Sequence, residues 1–192
     1  MPVPIYKGID YTDLKSIQIE DIDTMEGTDF EQYLNLLLIE LGYPDAYKTG
    51  NSRDFGADIV FTDSIGIRNI IQAKRYHPEL QVSLDAVQQV YTARNYYQAK
   101  KAIVLTSATF TDSCETLAGV NGVLLLDRND LIEIIHSFQQ SDYQRAKGIL
   151  EREPRVIYRY WDDPQYVRNI NKDKKLAKVA AELIGSKAAN WE

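Results

Sequence analysis

Apolar residues at Phe30, Leu34, Leu37, Leu38 and Leu41 recur at helical intervals and predict an amphipathic helix. Thr28-Asp29-Phe30-Glu31 reads as a capping box at its start, and Gly42 ends it. A short strand is expected around Ala46-Tyr47-Lys48, followed by a polar stretch from Thr49 to Gly56. Two alternating runs, 57–62 and 68–74, are joined through Asp63-Ser64-Ile65-Gly66 and predict a β-hairpin with a glycine-containing loop. Beyond it the pattern predicts a helix over 83–97, a buried strand over 101–106 and a helix capped by Thr111 that ends near Val120. A strand over 122–126 and a closing helix over 127–138 complete the order. Such an order indicates an α/β fold, a three-layer α/β/α sandwich around a mixed sheet. The expected division is a polar lead-in over 1–23, one folded domain over 24–138 and a mainly helical tail over 139–192.

Composition narrows the class. A chain of 192 residues with 44% hydrophobic and 26% charged residues has the means to build one globular core, which excludes a disordered or collagen-like protein. A single cysteine, Cys114, excludes an internal disulfide and a cysteine-rich zinc site, and suits a reducing cytoplasm. No apolar run reaches the roughly 18 residues of a membrane span. The start Met1-Pro2-Val3-Pro4-Ile5 has no basic and then apolar signal plan, so a soluble cytoplasmic protein is expected. Net charge is -6, unevenly spread: residues 1–138 carry 11 basic and 20 acidic side chains, and residues 139–192 carry 11 and 8. The tail interleaves Arg152, Arg155, Arg159 and Arg168 with Tyr158, Tyr160, Trp161 and Tyr166. That mixture suits a nucleic-acid arm, and equally a partner-binding or self-packing helical appendage.

The chemistry concentrates in the hairpin. Side chains alternate faces along a strand, so Asp58, Val60 and Thr62 share one face of the first strand and Ile70, Gln72 and Lys74 one face of the second. Centring a three-residue loop on Ile65 sets residue 58 opposite 72. A register shifted by one would put Asp58 among Ile71 and Ala73, and the pattern rejects it. A carboxylate, an amide and an ammonium thus converge on one patch. Metal-assisted phosphodiester hydrolysis uses such groups: oxygen donors for a hard cation, and a lysine beside the reacting water and phosphate. Glu31 either adds a carboxylate to this set or serves only its helix cap. A surface ion pair of Asp58 with Lys74 would be the ordinary alternative. Asp54 either supports the patch from its loop or stabilises a turn, and Gln88, placed on the inward side of its helix, either supports Lys74 or bonds a backbone group. Thr106, Ser107, Thr109 and Thr111 crowd a strand end and a helix start, where capping explains Thr111. His77 and His136 lack metal-ligand spacing.

Gly27-Thr28-Asp29-Phe30-Glu31, Leu41-Gly42-Tyr43, Asp54-Phe55-Gly56-Ala57-Asp58 and Gln72-Ala73-Lys74-Arg75-Tyr76 follow one another in order. Val87-Gln88-Gln89-Val90-Tyr91 and Thr106-Ser107-Ala108-Thr109-Phe110-Thr111 continue the series. Together they resemble the Mrr-like branch of the PD-(D/E)xK nuclease superfamily over about residues 24–136, with Gln72 replacing the acidic residue of the usual signature. The resemblance implies Mg²⁺, with Mn²⁺ as a substitute, bound by Asp58 and Gln72 with Glu31 nearby, and Lys74 as the catalytic lysine. It implies DNA as partner and a role in restriction or phage defence. Lys48, Arg53, Arg75 and Arg94 are the basic residues expected to contact nucleic acid. Cys114 stands where the family pattern suggests a small residue, which implies packing and no thiol chemistry. Two strands and one site per chain imply a homodimer or a subunit of a defence complex. A junction-resolvase type of nuclease and a non-cleaving binding module on the same fold are the alternatives.

Overall fold

The computed structural model describes residues 13–50 and 55–156, together with 172, 175 and 178. A 3₁₀ turn at Leu14–Ser16 precedes helices α1 (Ile19–Thr24) and α2 (Gly27–Glu40). Strands β1 (Tyr47–Lys48), β2 (Ile59–Thr62), β3 (Arg68–Lys74) and β4 (Gln81–Val82) lead to helix α3 (Asp85–Tyr96). Strands β5 (Lys101–Thr106) and β6 (Thr109–Phe110), helix α4 (Asp112–Asn121), strand β7 (Leu124–Leu126) and helices α5 (Arg128–Gln139) and α6 (Tyr143–Leu150) follow. The main sheet runs β1-β2-β3-β5-β7, antiparallel up to β3 and parallel beyond it. β4 and β6 form a separate two-stranded parallel sheet. Among the described residues no helix is long and apolar enough to cross a membrane.

Strand alternation divides the core into two layers. Ile59, Phe61, Ile71, Ile103, Leu105, Leu124 and Leu126 meet α1, α2, α5 and α6 on one face. Val60, Ile70, Ala102 and Val104 meet α3 and α4 on the other. The three-layer α/β/α sandwich with a mixed sheet is therefore present. The hairpin keeps the expected register, with Ile59 opposite Ile71 and Val60 opposite Ile70. Its loop is Ser64-Ile65-Gly66: Asp63 N donates to Ile67 O at 2.8 Å, and Gly66 takes φ +82°. Asp63 Oδ1 accepts from the N–H groups of Ile65 and Ile67, and Oδ2 from Asn69 Nδ2, so one buried carboxylate holds the whole turn.

Three expectations are corrected. α2 does not begin with a Thr28 capping box. Its N-cap is Glu26, whose carbonyl accepts from Asp29 N at 3.1 Å and Phe30 N at 3.0 Å, and Thr28 lies inside the first turn. Met25 before the cap and Phe30 in the first turn are both buried in the same core cluster, the two positions of a hydrophobic staple, and they set the start earlier. The lead-in is no polar leader where it is described: Leu14, Ile17 and Ile22 are core residues. The boundary at 138/139 cuts through a packed pair, because α6 buries Ala146 and Leu150 in the α5 layer. The first of two compact units ends at Val156. Within it Arg152 is engaged by the fold, with its guanidinium on both Asp130 carboxylate oxygens at 2.7 and 2.6 Å. Arg159, Arg168, Tyr158, Tyr160, Trp161 and Tyr166 lie outside the described residues.

Candidate active site

The apolar face of β3 that meets α3 turns polar at its C-terminal end. After Ile70 come Gln72 and Lys74, at the carboxyl end of the parallel strands, where ligands bind in open α/β sheets. Asp58 stands one residue before β2. Its N–H donates to Ile71 O at 2.8 Å, which extends the ladder and sets its side chain toward Gln72. Asp58 Oδ2 accepts from Gln72 Nε2 at 2.5 Å and from Ala73 N at 2.7 Å. Asp58 is 7% and Gln72 5% exposed. Lys74 Nζ donates to Gln89 Oε1 at 3.1 Å. These four side chains line a cleft of about 400 Å³ together with Glu31, Phe55, Gly56 and Ala73.

The end of β3 is tied down from β5. Thr106 Oγ1 donates to Lys74 O at 2.7 Å, and the Ser107 hydroxyl both donates to Tyr76 O and accepts from Tyr76 N, at 2.8 and 2.9 Å. Both residues are fully buried, so these hydroxyls fix the backbone that carries Lys74. Thr111 caps α4 by accepting from Cys114 N at 3.2 Å. Burial, with Asp85 and Glu115 nearby, pushes the Cys114 thiol up to about 12, so it stays protonated at neutral pH and acts as packing.

The cleft brings Asp58, Gln72, Lys74 and Glu31 to one place, with two differences from expectation. Glu31 Oε2 carries a 2.8 Å ion pair with Lys48 Nζ, so that lysine neutralises a cleft carboxylate where a nucleic-acid contact was expected. Gln88 is exposed and takes no part, and Gln89 holds Lys74 instead. The buried stripe of α3, Ala86, Val87, Val90 and Ala93, decides the phase: residue 88 falls opposite the stripe and residue 89 on its flank. Arg75 turns away from the cleft lining, with Nη1 donating to Asp23 O at 3.4 Å. Arg94 packs over the Tyr91 ring at 4.8 Å, also outside the cleft lining. Arg53 and Asp54 lie outside the described residues.

The donor set fits a hard divalent cation. Among the described residues no group of three or more His, Cys, Asp or Glu gathers. The cleft offers a carboxylate, an amide and a second carboxylate, all oxygen ligands, with room for water. Gln72 also serves Asp58 as a hydrogen-bond donor, which a carboxylate at that position could not do. Gln72→Glu should therefore set two carboxylates in contact. In EDTA the variant should lose about 1–3 kcal/mol of stability, and Mn²⁺ should recover most of it. Thermal melts of parent and variant with and without Mn²⁺ check this, and equal melts in EDTA would contradict it.

The restriction endonuclease family model Mrr_cat matches residues 22–135, more than half of the chain, and the chain belongs to that family. No curated protein sequence matches. Among solved structures, it is similar to the DNA modification-dependent restriction endonuclease AspBHI, at 16% identity and TM-score 0.48 over 79% of this chain and 43% of that one. It is also similar to the MspJI restriction endonuclease in complex with a 27-mer oligonucleotide, at 15% identity and TM-score 0.44 over 78% and 37%. A protein of unknown function, AF1548, matches at 17% identity and TM-score 0.43 over 50% and 55%. The matches thus span between 37% and 55% of the lengths of these chains.

Proposed function

We propose that this domain is a divalent-metal-dependent DNA endonuclease acting in restriction or phage defence. The observation that carries the reading is the buried Asp58–Gln72 contact with Lys74 beside it in one cleft, inside the family match. Asp58 and the Gln72 amide would hold Mg²⁺ or Mn²⁺, with Glu31 as a further carboxylate. The bound ion would acidify a water and offset charge on the scissile phosphate. The chain's own contribution is positioning and electrostatics. The Gln72 and Ala73 N–H groups hold one Asp58 oxygen and so orient the carboxylate. Gln89 steers the Lys74 ammonium, which orients the attacking water and stabilises charge growing on the phosphate oxygens. Two chains would pair for cutting both strands of a duplex.

The test is incubation of supercoiled plasmid with the full chain in Mg²⁺ or Mn²⁺, with EDTA as control. Nicked or linear product in metal alone is expected. Plasmid left intact with each metal would overturn the reading, and cleavage confined to branched substrates would favour the junction-resolvase type.

A further inference from the structure

Phe55 and Tyr96 sit in the open although both are large apolar side chains. Phe55 is 53% exposed and Tyr96 61%, and neither belongs to the two buried cores. Their ring centroids are 4.3 Å apart, and Tyr97 meets Tyr96 edge-on at 4.9 Å. Phe55 is held there by a backbone that side chains rarely adopt, at φ +50°. Gly56 follows at φ +91° and presses so closely on α3 that a Cβ would lie 2.7 Å from Gln89 Cβ. The loop is thus clamped on the helix residue that steers Lys74, and Phe55 lines the same cleft as Asp58 and Lys74. The two exposed rings, tilted by 38° to each other, thus stand where Phe55 enters the lining of a polar cleft.

We propose that the Phe55–Tyr96 pair is a stacking subsite for an unpaired nucleobase beside the scissile phosphate, an inference that rests on the nuclease reading above. Gln89 and Tyr96 are seven residues apart and share one face of α3, about 10 Å along its axis. That is about three base steps at roughly 3.4 Å each. A strand whose phosphate lies in the cleft therefore brings a base within about three steps of that phosphate to the rings. Stacking accepts any base, because every base has a π face. In an intact duplex those faces are covered by neighbouring pairs, so the rings engage a base only where it is unpaired or extruded. The site accordingly favours DNA with a mismatch, bulge or single-stranded gap close to the cut.

The experiment uses duplexes carrying one unpaired 2-aminopurine at successive positions, bound to the full chain in Ca²⁺ and cleaved in Mg²⁺. Emission should be quenched several-fold at one position, and unpaired substrates should be cleaved about ten-fold faster than a fully paired duplex. Phe55→Leu keeps the apolar contact and loses the ring, so it should abolish both effects, as should Tyr96→Leu. Phe55→Trp should keep them, and unchanged thermal melts exclude misfolding. Equal cleavage of paired and unpaired DNA with no quenching at any position would overturn the subsite and leave the nuclease reading intact. Quenching without cleavage of any substrate would support base binding and defeat the nuclease reading. A base response that survives Phe55→Leu while light scattering shows a changed oligomeric state would overturn the subsite in favour of a protein contact.

Discussion

Lys74→Ala should lower the single-turnover cleavage rate by about a thousand-fold, on the scale of losing one preorganised donor at a developing charge, and should leave divalent-metal binding intact. The separation follows from the site's geometry. In the proposed mechanism Asp58 and Gln72 would supply the metal donors, whereas the Lys74 ammonium is held by Gln89 and would contribute only positive charge and hydrogen-bond donors. Removing it leaves the Asp58 carboxylate in place, because Gln72 and Ala73 hold that group. Rapid-quench cleavage beside calorimetric Mn²⁺ titration measures the two properties separately. A variant that cuts as fast as the parent would show that the hairpin is not the catalytic centre.

Gly56→Ala should be the most damaging single change to the framework of the site. The new Cβ would sit 2.7 Å from Gln89 Cβ and 2.8 Å from the Gln89 backbone carbon and oxygen, and helix backbone cannot move aside as a flexible side chain can. The residue also takes φ +91°, where an alanine is strained. Together these should cost about 3–5 kcal/mol, a large part of a domain's typical stability of about 5–15 kcal/mol. Chemical denaturation of parent and variant checks the magnitude. A loss below 1 kcal/mol would mean that the loop and α3 separate easily. Since Gln89 steers Lys74, cleavage should fall even where the variant remains folded.

The hairpin and its register were legible because β2 and β3 each have one face in each core, so a shift by one residue would expose an entire apolar set. That register also brought Asp58, Gln72 and Lys74 together. What could not be read depended on partners distant in the chain. Leu14 opens and Ile17 caps a three-residue 3₁₀ turn, and Ile22 lies in a six-residue helix, elements too short for an apolar period to stand out. Yet all three join the core cluster that includes α2 and α5. β4 and β6 are two residues each, too short for alternation to register. The Lys48–Glu31 pair joins a strand to a helix, and a sequence shows only two charged residues in different elements. Gln89 was within reach: the apolar stripe of α3, Ala86, Val87, Val90 and Ala93, already sets Gln88 opposite it and Gln89 on its flank. The Thr28 box matched its motif and still lost to burial of Met25 and Phe30, since a local pattern cannot register a core contact.

In the proposed mechanism Asp58 would hold the ion that cleavage requires. Calorimetric titration of Mn²⁺ into the full chain and into Asp58→Asn, with DNA cleavage measured on the same samples, tests it most directly. Asparagine keeps the shape and can still accept from Ala73 N, so the change removes charge with little else. Metal binding and cleavage are expected in the parent, and loss of both in the variant. Unchanged Mn²⁺ affinity in Asp58→Asn, or cleavage at the parent's rate, would contradict it.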